Sequence, residues 1–189
     1  MFRSQRCTAA AIGLLAWSTA IGCASSPRQR PVGVGDVDAG PESLTAVRQR
    51  LDGQWTLATL TIFEESGRKV DVEATGSLVS DAYGGLAIEY RMSDAGQKAL
   101  GSLGIVSPNP VLTTTGRVAI EPRQRQITYV GADYTKQGGF DAGLAAKRAN
   151  PFALERIRYY TFNADGTLSL ATRHDNGREA VVSVWKRAP

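Results

Sequence analysis

From Gln54 to Lys186 apolar and polar residues alternate for most of the chain with a period of two. The clearest stretch is Leu86-Ala87-Ile88-Glu89-Tyr90-Arg91-Met92, which puts Leu86, Ile88, Tyr90 and Met92 on one face and Glu89 and Arg91 on the other. Similar alternation predicts strands near 54–63, 75–80, 111–121, 125–131, 155–163, 167–173 and 179–187. Ahead of them, Leu44, Val47, Arg48 and Leu51 recur at helical spacing behind Ser43, a good N-cap, and Gly53 ends the turn. One short helix followed by about eight strands is the expected order of elements.

Several connections carry turn chemistry. Glu121-Pro122-Arg123-Gln124, Asn163-Ala164-Asp165-Gly166 and Asp175-Asn176-Gly177 place Pro where φ is preset and Gly or Asn where φ is positive. Strands joined so tightly are antiparallel, and eight in succession predict a mainly β, up-and-down barrel, with an open sandwich as the alternative. Residues 93–110 and 132–154 are too long for tight turns. They contain helix-compatible stretches at Gln97–Leu103 and Ala142–Ala149 and read either as lids over a barrel mouth or as surface decoration.

The pattern is different at the start. Arg3 and Arg6 precede an uncharged apolar run from Cys7 to Gly22, the arrangement of an export signal that is too short for a permanent span. The run closes in Ala20-Ile21-Gly22-Cys23, which resembles the lipobox of bacterial lipoprotein precursors, although leucine is usual where Ala20 stands. That resemblance implies signal residues 1–22, a diacylglycerol thioether on Cys23 and an N-acyl chain on the new N-terminus. Several acyl chains anchor firmly where one does not. Ala24 after the cysteine resembles the sorting pattern for the outer membrane of Gram-negative bacteria. Cleavage after Ala24 and simple secretion is the alternative.

Residues 23–43 are rich in Ser, Pro and Gly and bury no periodic face, so they read as lipid anchor and flexible spacer, leaving 44–189 as one domain. The two cysteines, Cys7 and Cys23, both belong to the leader region, so the domain has no disulfide to staple it. Charge adds little. Without Arg3 and Arg6, 20 of the 22 basic residues remain against 18 acidic ones, a net of +2, which gives no footprint for nucleic acid.

At Leu51-Asp52-Gly53-Gln54-Trp55 the chain resembles the opening of lipocalin-like domains, where a short helix leads through Gly-x-Trp into the first strand. Phe162-Asn163-Ala164-Asp165-Gly166-Thr167-Leu168-Ser169-Leu170, with Val182-Ser183-Val184-Trp185-Lys186-Arg187, resembles the last three strands of the bacterial lipocalin-like family. The resemblance implies a calycin-type barrel over roughly 44–188, with Gly53 turning the chain, Trp55 plugging one end and Arg187 packing over its ring as a cation–π contact.

Candidate chemistry is sparse. His174 is the single histidine and reads as an exposed turn residue beside Asp175, too isolated for a nucleophile triad or a zinc site. Glu64-Glu65 precedes Gly67 at a hairpin tip, Asp71/Glu73 is a second carboxylate pair, and Asp133 and Asp141 lie in a long connection with no partner positioned. Gly84-Gly85 and Gly138-Gly139 are turns, not phosphate loops. No metal set and no cofactor motif is expected.

Leu86, Tyr90, Tyr129, Tyr159 and Leu170 alternate onto potential inner faces, where they either fill the interior or line a cavity for one hydrophobic ligand. Three functions follow. The first is an anchored module binding a small hydrophobic or amphipathic molecule, and the second a structural module docking an envelope partner. The third is an isomerase or hydrolase using Tyr129, Tyr159, Asp133 or His174.

Overall fold

The computed structural model describes residues 40–105, 109–130, 150–153 and 156–189. Helix α1, Leu44–Leu51, begins where the Ser43 hydroxyl accepts the Ala46 N–H at 3.1 Å, and it buries Val47 and Leu51. Gly53 follows at φ +113°, a conformation that side-chain-bearing residues resist, and this turns the chain directly into the first strand.

Among the described residues nine strands follow: β1 Gly53–Phe63, β2 Lys69–Asp71, β3 Ala74–Ser80, β4 Gly85–Met92, β5 Val111–Glu121, β6 Gln126–Val130, β7 Arg158–Phe162, β8 Leu168–Arg173 and β9 Glu179–Arg187. Every pairing is antiparallel, and β9 returns to β1 from Trp55↔Arg187 to Ile62↔Val181. The result is a closed eight-stranded barrel with short β2 beside it. β1 pairs with β3 through its first four residues and with β2 through its last three, while its register against β9 shifts between Leu57 and Thr59. Such a bulge bends a strand and helps a sheet to curl.

The expected helix-then-strands order is therefore observed, with three adjustments. β2 was not foreseen, because three residues carry too little alternation. β7 starts at Arg158 instead of 155. The helix expected at Gln97–Leu103 is α2, Asp94–Ser102, capped by the Ser93 hydroxyl. Gly96 lets α2 sit against the corner before β3, since a Cβ there would run into the Glu73 carbonyl oxygen. The stretch Ala142–Ala149 lies outside the described residues.

The barrel wall is well paired except at one seam. β4 and β5 share seven residue pairs, whereas among the described residues β6 and β7 share Gln126↔Tyr159 and Ile127↔Arg158. Inside the barrel Leu78, Ile127, Leu168 and Trp185 have no exposure. They form one apolar core with Leu60, Ile88, Leu112, Leu170 and Val181.

Candidate functional site

The two ends of the barrel are built differently. At the base, α1 lies against the start of β1, and the Trp55 indole N–H donates to the Leu51 carbonyl at 2.9 Å. The Arg187 guanidinium lies 4.6 Å from the Trp55 ring centroid and donates to the carbonyls of Asp52 at 2.9 Å and Arg50 at 2.8 Å. Those carbonyls end α1 and carry its partial negative charge, so a cation is well placed there. Arg50 stacks 3.8 Å from the Phe162 ring centroid on the same end. A Cβ on Gly53 would come within 3.1 Å of Arg187 Nη1, so the glycine also makes room for this contact.

Toward the other end the interior becomes polar. The Ser183 hydroxyl accepts from Tyr90 Oη at 3.2 Å and from Trp185 Nε1 at 2.9 Å, and donates to the Leu170 carbonyl at 3.3 Å. Tyr129 Oη donates to the Leu86 carbonyl at 3.3 Å. Burial holds both phenols protonated well above the ordinary tyrosine range, although the nearby Arg158 charge opposes the effect.

Arg158 is the unexpected member of this group. It is only 5% exposed, on the inner face of β7, with its guanidinium 4.8 Å from the Tyr129 ring centroid. Its Nη1 donates to the Arg156 carbonyl at 2.9 Å, and its Nη2 faces the carbonyls of Phe152 and Ala153 at 3.5 and 3.4 Å. A buried guanidinium needs such acceptors, because taking a charge out of water costs several kcal/mol.

Those carbonyls belong to a short turn across the mouth. The Asn150 side chain accepts the Phe152 N–H at 2.9 Å, and the Thr172 hydroxyl donates to the Pro151 carbonyl at 2.9 Å. Arg156 ties the turn to the wall by donating to Asn150 O at 2.9 Å and Arg173 O at 2.6 Å. The Phe152 ring reaches inward and meets Tyr90 edge-on, with centroids 5.5 Å apart, and Tyr90 in turn lies 5.4 Å from Trp185. About 20 Å³ remains free between Phe152, Ile88, Leu112, Thr114, Leu170 and Val181, space for about one water molecule.

The sequence-selected interior residues thus divide. Tyr90, Tyr129, Leu86 and Leu170 are buried inside the barrel. Tyr159 is a correction: it pairs with Ala171 on the outer face, and Arg173 stacks 3.8 Å from its ring centroid. Arg158 and Tyr160 take the inward positions of β7 instead. Two adjacent tyrosines give no alternation from which to choose the face, and an inward arginine runs against the usual rule.

His174 also differs from expectation. Its Nε2 lies 2.7 Å from the Phe63 carbonyl, tying the β8–β9 turn to the end of β1, and the residue is half-buried. Among the described enzyme candidates, then, Tyr129 is inside, Tyr159 outside and His174 at a turn. The carboxylate pairs are surface features. Glu64 pairs with Arg68, whose hydrogen bond holds its carboxyl below the usual range, and Asp71 pairs with Lys69 at 3.2 Å. Asp133, Asp141 and Gly138-Gly139 lie outside the described residues, as does Cys23. No group of three or more His, Cys, Asp or Glu side chains converges among the described residues.

Arg158, Phe152, Thr172 and Ser183 were missed. The available signal was Asn150-Pro151-Phe152, a turn former followed by an aromatic residue in a connection that read either as a lid or as surface decoration. No family model matches the chain, and no curated protein matches it. Among solved structures, the chain is similar to a redesigned β-barrel, at 12% identity and a TM-score of 0.36, over 75% of this chain and 95% of that one.

Proposed function

We propose that this protein is a non-enzymatic binding module of the lipocalin-like type, holding one small amphipathic molecule inside its barrel and tethered through lipidated Cys23 to a bacterial envelope membrane. The observation that carries the reading is the interior polar group of Arg158, Tyr90, Tyr129 and Ser183, set beside an apolar wall of Ile88, Leu112, Leu170 and Val181. A few convergent polar groups against an apolar lining is the usual composition of a small-molecule site. A barrel stabilised by packing alone has little reason to bury a guanidinium, since apolar residues of similar volume serve as well or better.

Native mass spectrometry of the purified protein tests the binding claim. It predicts a co-purified species of small-molecule mass that is lost on denaturation, while a mass equal to bare protein after gentle extraction and after incubation with amphiphiles contradicts it. Anchoring is tested separately by labelling cells with an alkyne fatty acid. Label on the wild type that is absent from Cys23→Ala supports the tether, and an unlabelled wild type refutes it.

A structural module is the second reading. It is favoured by the tight packing between Phe152 and the barrel wall, where about 20 Å³ is free among the described residues. It predicts that the protein binds a partner through its outer surface and remains indifferent to amphiphiles.

A further inference from the structure

The base of the barrel carries a recess of its own, between the segment entering α1, the β5–β6 turn and β7. Its lining includes Glu42, Val47, Arg50, Arg125, Tyr160 and Phe162, around about 60 Å³ of free space. That is room for a small oxyanion and less than the cavities that take an aromatic ring. We propose that this recess binds one phosphate group through Arg50, Arg125 and Tyr160, and that the Glu42 carboxylate occupies Arg125 until the phosphate displaces it. The inference stands apart from the interior site, so either can fail without the other.

Three observations carry it. First, Tyr160 is 4% exposed, yet its hydroxyl has no hydrogen-bond partner among the described residues. A buried phenol usually finds one. No fully buried side-chain oxygen lacks a partner among the described residues, so this hydroxyl touches the open space of the recess. Burial and the Glu42 charge hold the phenol above the ordinary tyrosine range, against the opposing charges of Arg125 and Arg50, so at neutral pH it is a donor.

Second, the Arg50 guanidinium stacks 3.8 Å from the Phe162 ring centroid and makes no side-chain hydrogen bond among the described residues. Stacking uses the face of a guanidinium and leaves its in-plane N–H groups for an oxyanion. Third, Arg125 has φ +54°, the one left-handed position among the described residues that is not glycine. Glycine adopts that backbone at no steric cost, and the arginine there adds a guanidinium to the recess. Its Nη2 donates to Glu42 Oε1 at 2.8 Å, but the two side chains are 54% and 64% exposed, and pairs so exposed are worth little.

The donors thus come from three elements, α1, the β5–β6 turn and β7. A tetrahedral phosphate presents an oxygen to each, where a planar carboxylate has only two. Two guanidiniums against one carboxylate also leave the recess with a single net positive charge, which suits an anion.

Isothermal titration calorimetry on the purified full-length protein tests the site, at constant ionic strength with chloride as the filling anion. The probes are inorganic phosphate and a short-chain phosphatidylglycerol kept below its micellar concentration. Wild type is compared with Glu42→Gln, Arg50→Gln, Arg125→Gly and Tyr160→Phe, each first shown to unfold cooperatively. Arg125→Gly suits the left-handed backbone and Tyr160→Phe removes one unpartnered hydroxyl, so both keep the fold. Wild type is expected to bind one phosphate saturably, and Glu42→Gln to bind it several-fold more tightly. Arg50→Gln and Arg125→Gly are expected to bind about tenfold more weakly, and Tyr160→Phe several-fold more weakly.

Phosphatidylglycerol bound more tightly than inorganic phosphate identifies a lipid headgroup as the occupant, and phosphatidylglycerol bound no more tightly identifies a soluble phosphate. Both results support the site. Binding that is unchanged in Arg125→Gly and Tyr160→Phe lies elsewhere on the protein and overturns the inference. Absence of saturable binding by both wild type and Glu42→Gln overturns it as well.

Discussion

The base and the mouth of this barrel are each closed by an aromatic residue and an arginine, but the parts are assembled in opposite ways. At the base, Trp55 belongs to β1 and donates to the helix preceding it, and Arg187, at the end of β9, donates at 2.8 and 2.9 Å to the carbonyls that finish that helix. The closure is continuous with two paired strands. At the mouth, Phe152 sits on a turn outside the strand ladder, and Arg158 reaches back to that turn through bonds of 3.4 and 3.5 Å. The same pair of residue types thus makes a floor built into the sheet at one end and a cover carried on a turn at the other. What differs is whether the aromatic residue belongs to the hydrogen-bonded sheet.

Substitutions that remove each closure separate the two ends most sharply. Trp55→Ala is expected to have the largest effect, costing about 3–5 kcal/mol in urea denaturation, because the indole is 3% exposed and its site cannot collapse around a rigid strand. Phe152→Ala should cost only about 2 kcal/mol, below the usual range for a core phenylalanine, because a turn outside the strand ladder relaxes around the lost ring more readily than a strand does. Equal losses at the two positions would erase the distinction between floor and cover.

Alkaline pH probes the space beneath the cover. Burial raises the pKa of Tyr90 and Tyr129 in the folded protein above the unfolded value of 10.0, so above that pH the folded state retains protons that the unfolded state has released. Their contribution to stability is fully present below pH 10 and is lost as pH rises beyond it, at about 1.4 kcal/mol per tyrosine for each pH unit. Denaturation midpoints measured between about pH 9 and 11 should show this slope. The slope should be shallower in Phe152→Ala, where water reaches Tyr90, and unchanged in Arg187→Ala.

Arg187→Ala should cost about 1 kcal/mol, since the guanidinium is exposed and its bonds to the helix end compete with water. Lysine at the position recovers only part, having no planar group to span two carbonyls and a ring. Thr172→Val should be the mildest, below about 1 kcal/mol, because the freed Pro151 carbonyl is hydrated once the turn lifts. A loss at Thr172 greater than that at Arg187 would mean that the mouth is the tighter closure.

The contrast also explains which parts of the molecule were legible beforehand. The base is written in contiguous signals: a Ser cap, helical spacing to Leu51, then Gly53 and Trp55, with Arg187 following an alternating strand. Period-two alternation likewise located eight of the nine strands, because each wall segment has one wet face and one dry face. The mouth depends on contacts between distant positions. Phe152 meets Tyr90, and Thr172 holds Pro151, and neither pairing leaves a local trace in hydropathy. Arg158 is harder still, because an inward arginine breaks the alternation, and among its acceptors are backbone carbonyls that any sequence possesses. In β7 the consecutive tyrosines concealed which face was inward, so Tyr159 was assigned to the interior that Tyr160 and Arg158 occupy.

Hydrogen exchange followed by mass spectrometry tests the distinction between the two closures most directly. The amides of Phe152 and Ala153, bonded to the Asn150 side chain and carbonyl, should exchange through local opening far faster than the amides of Trp55 and its β9 partner. Protection of the turn equal to that of the barrel strands would show that Phe152 is as permanent a part of the core as Trp55.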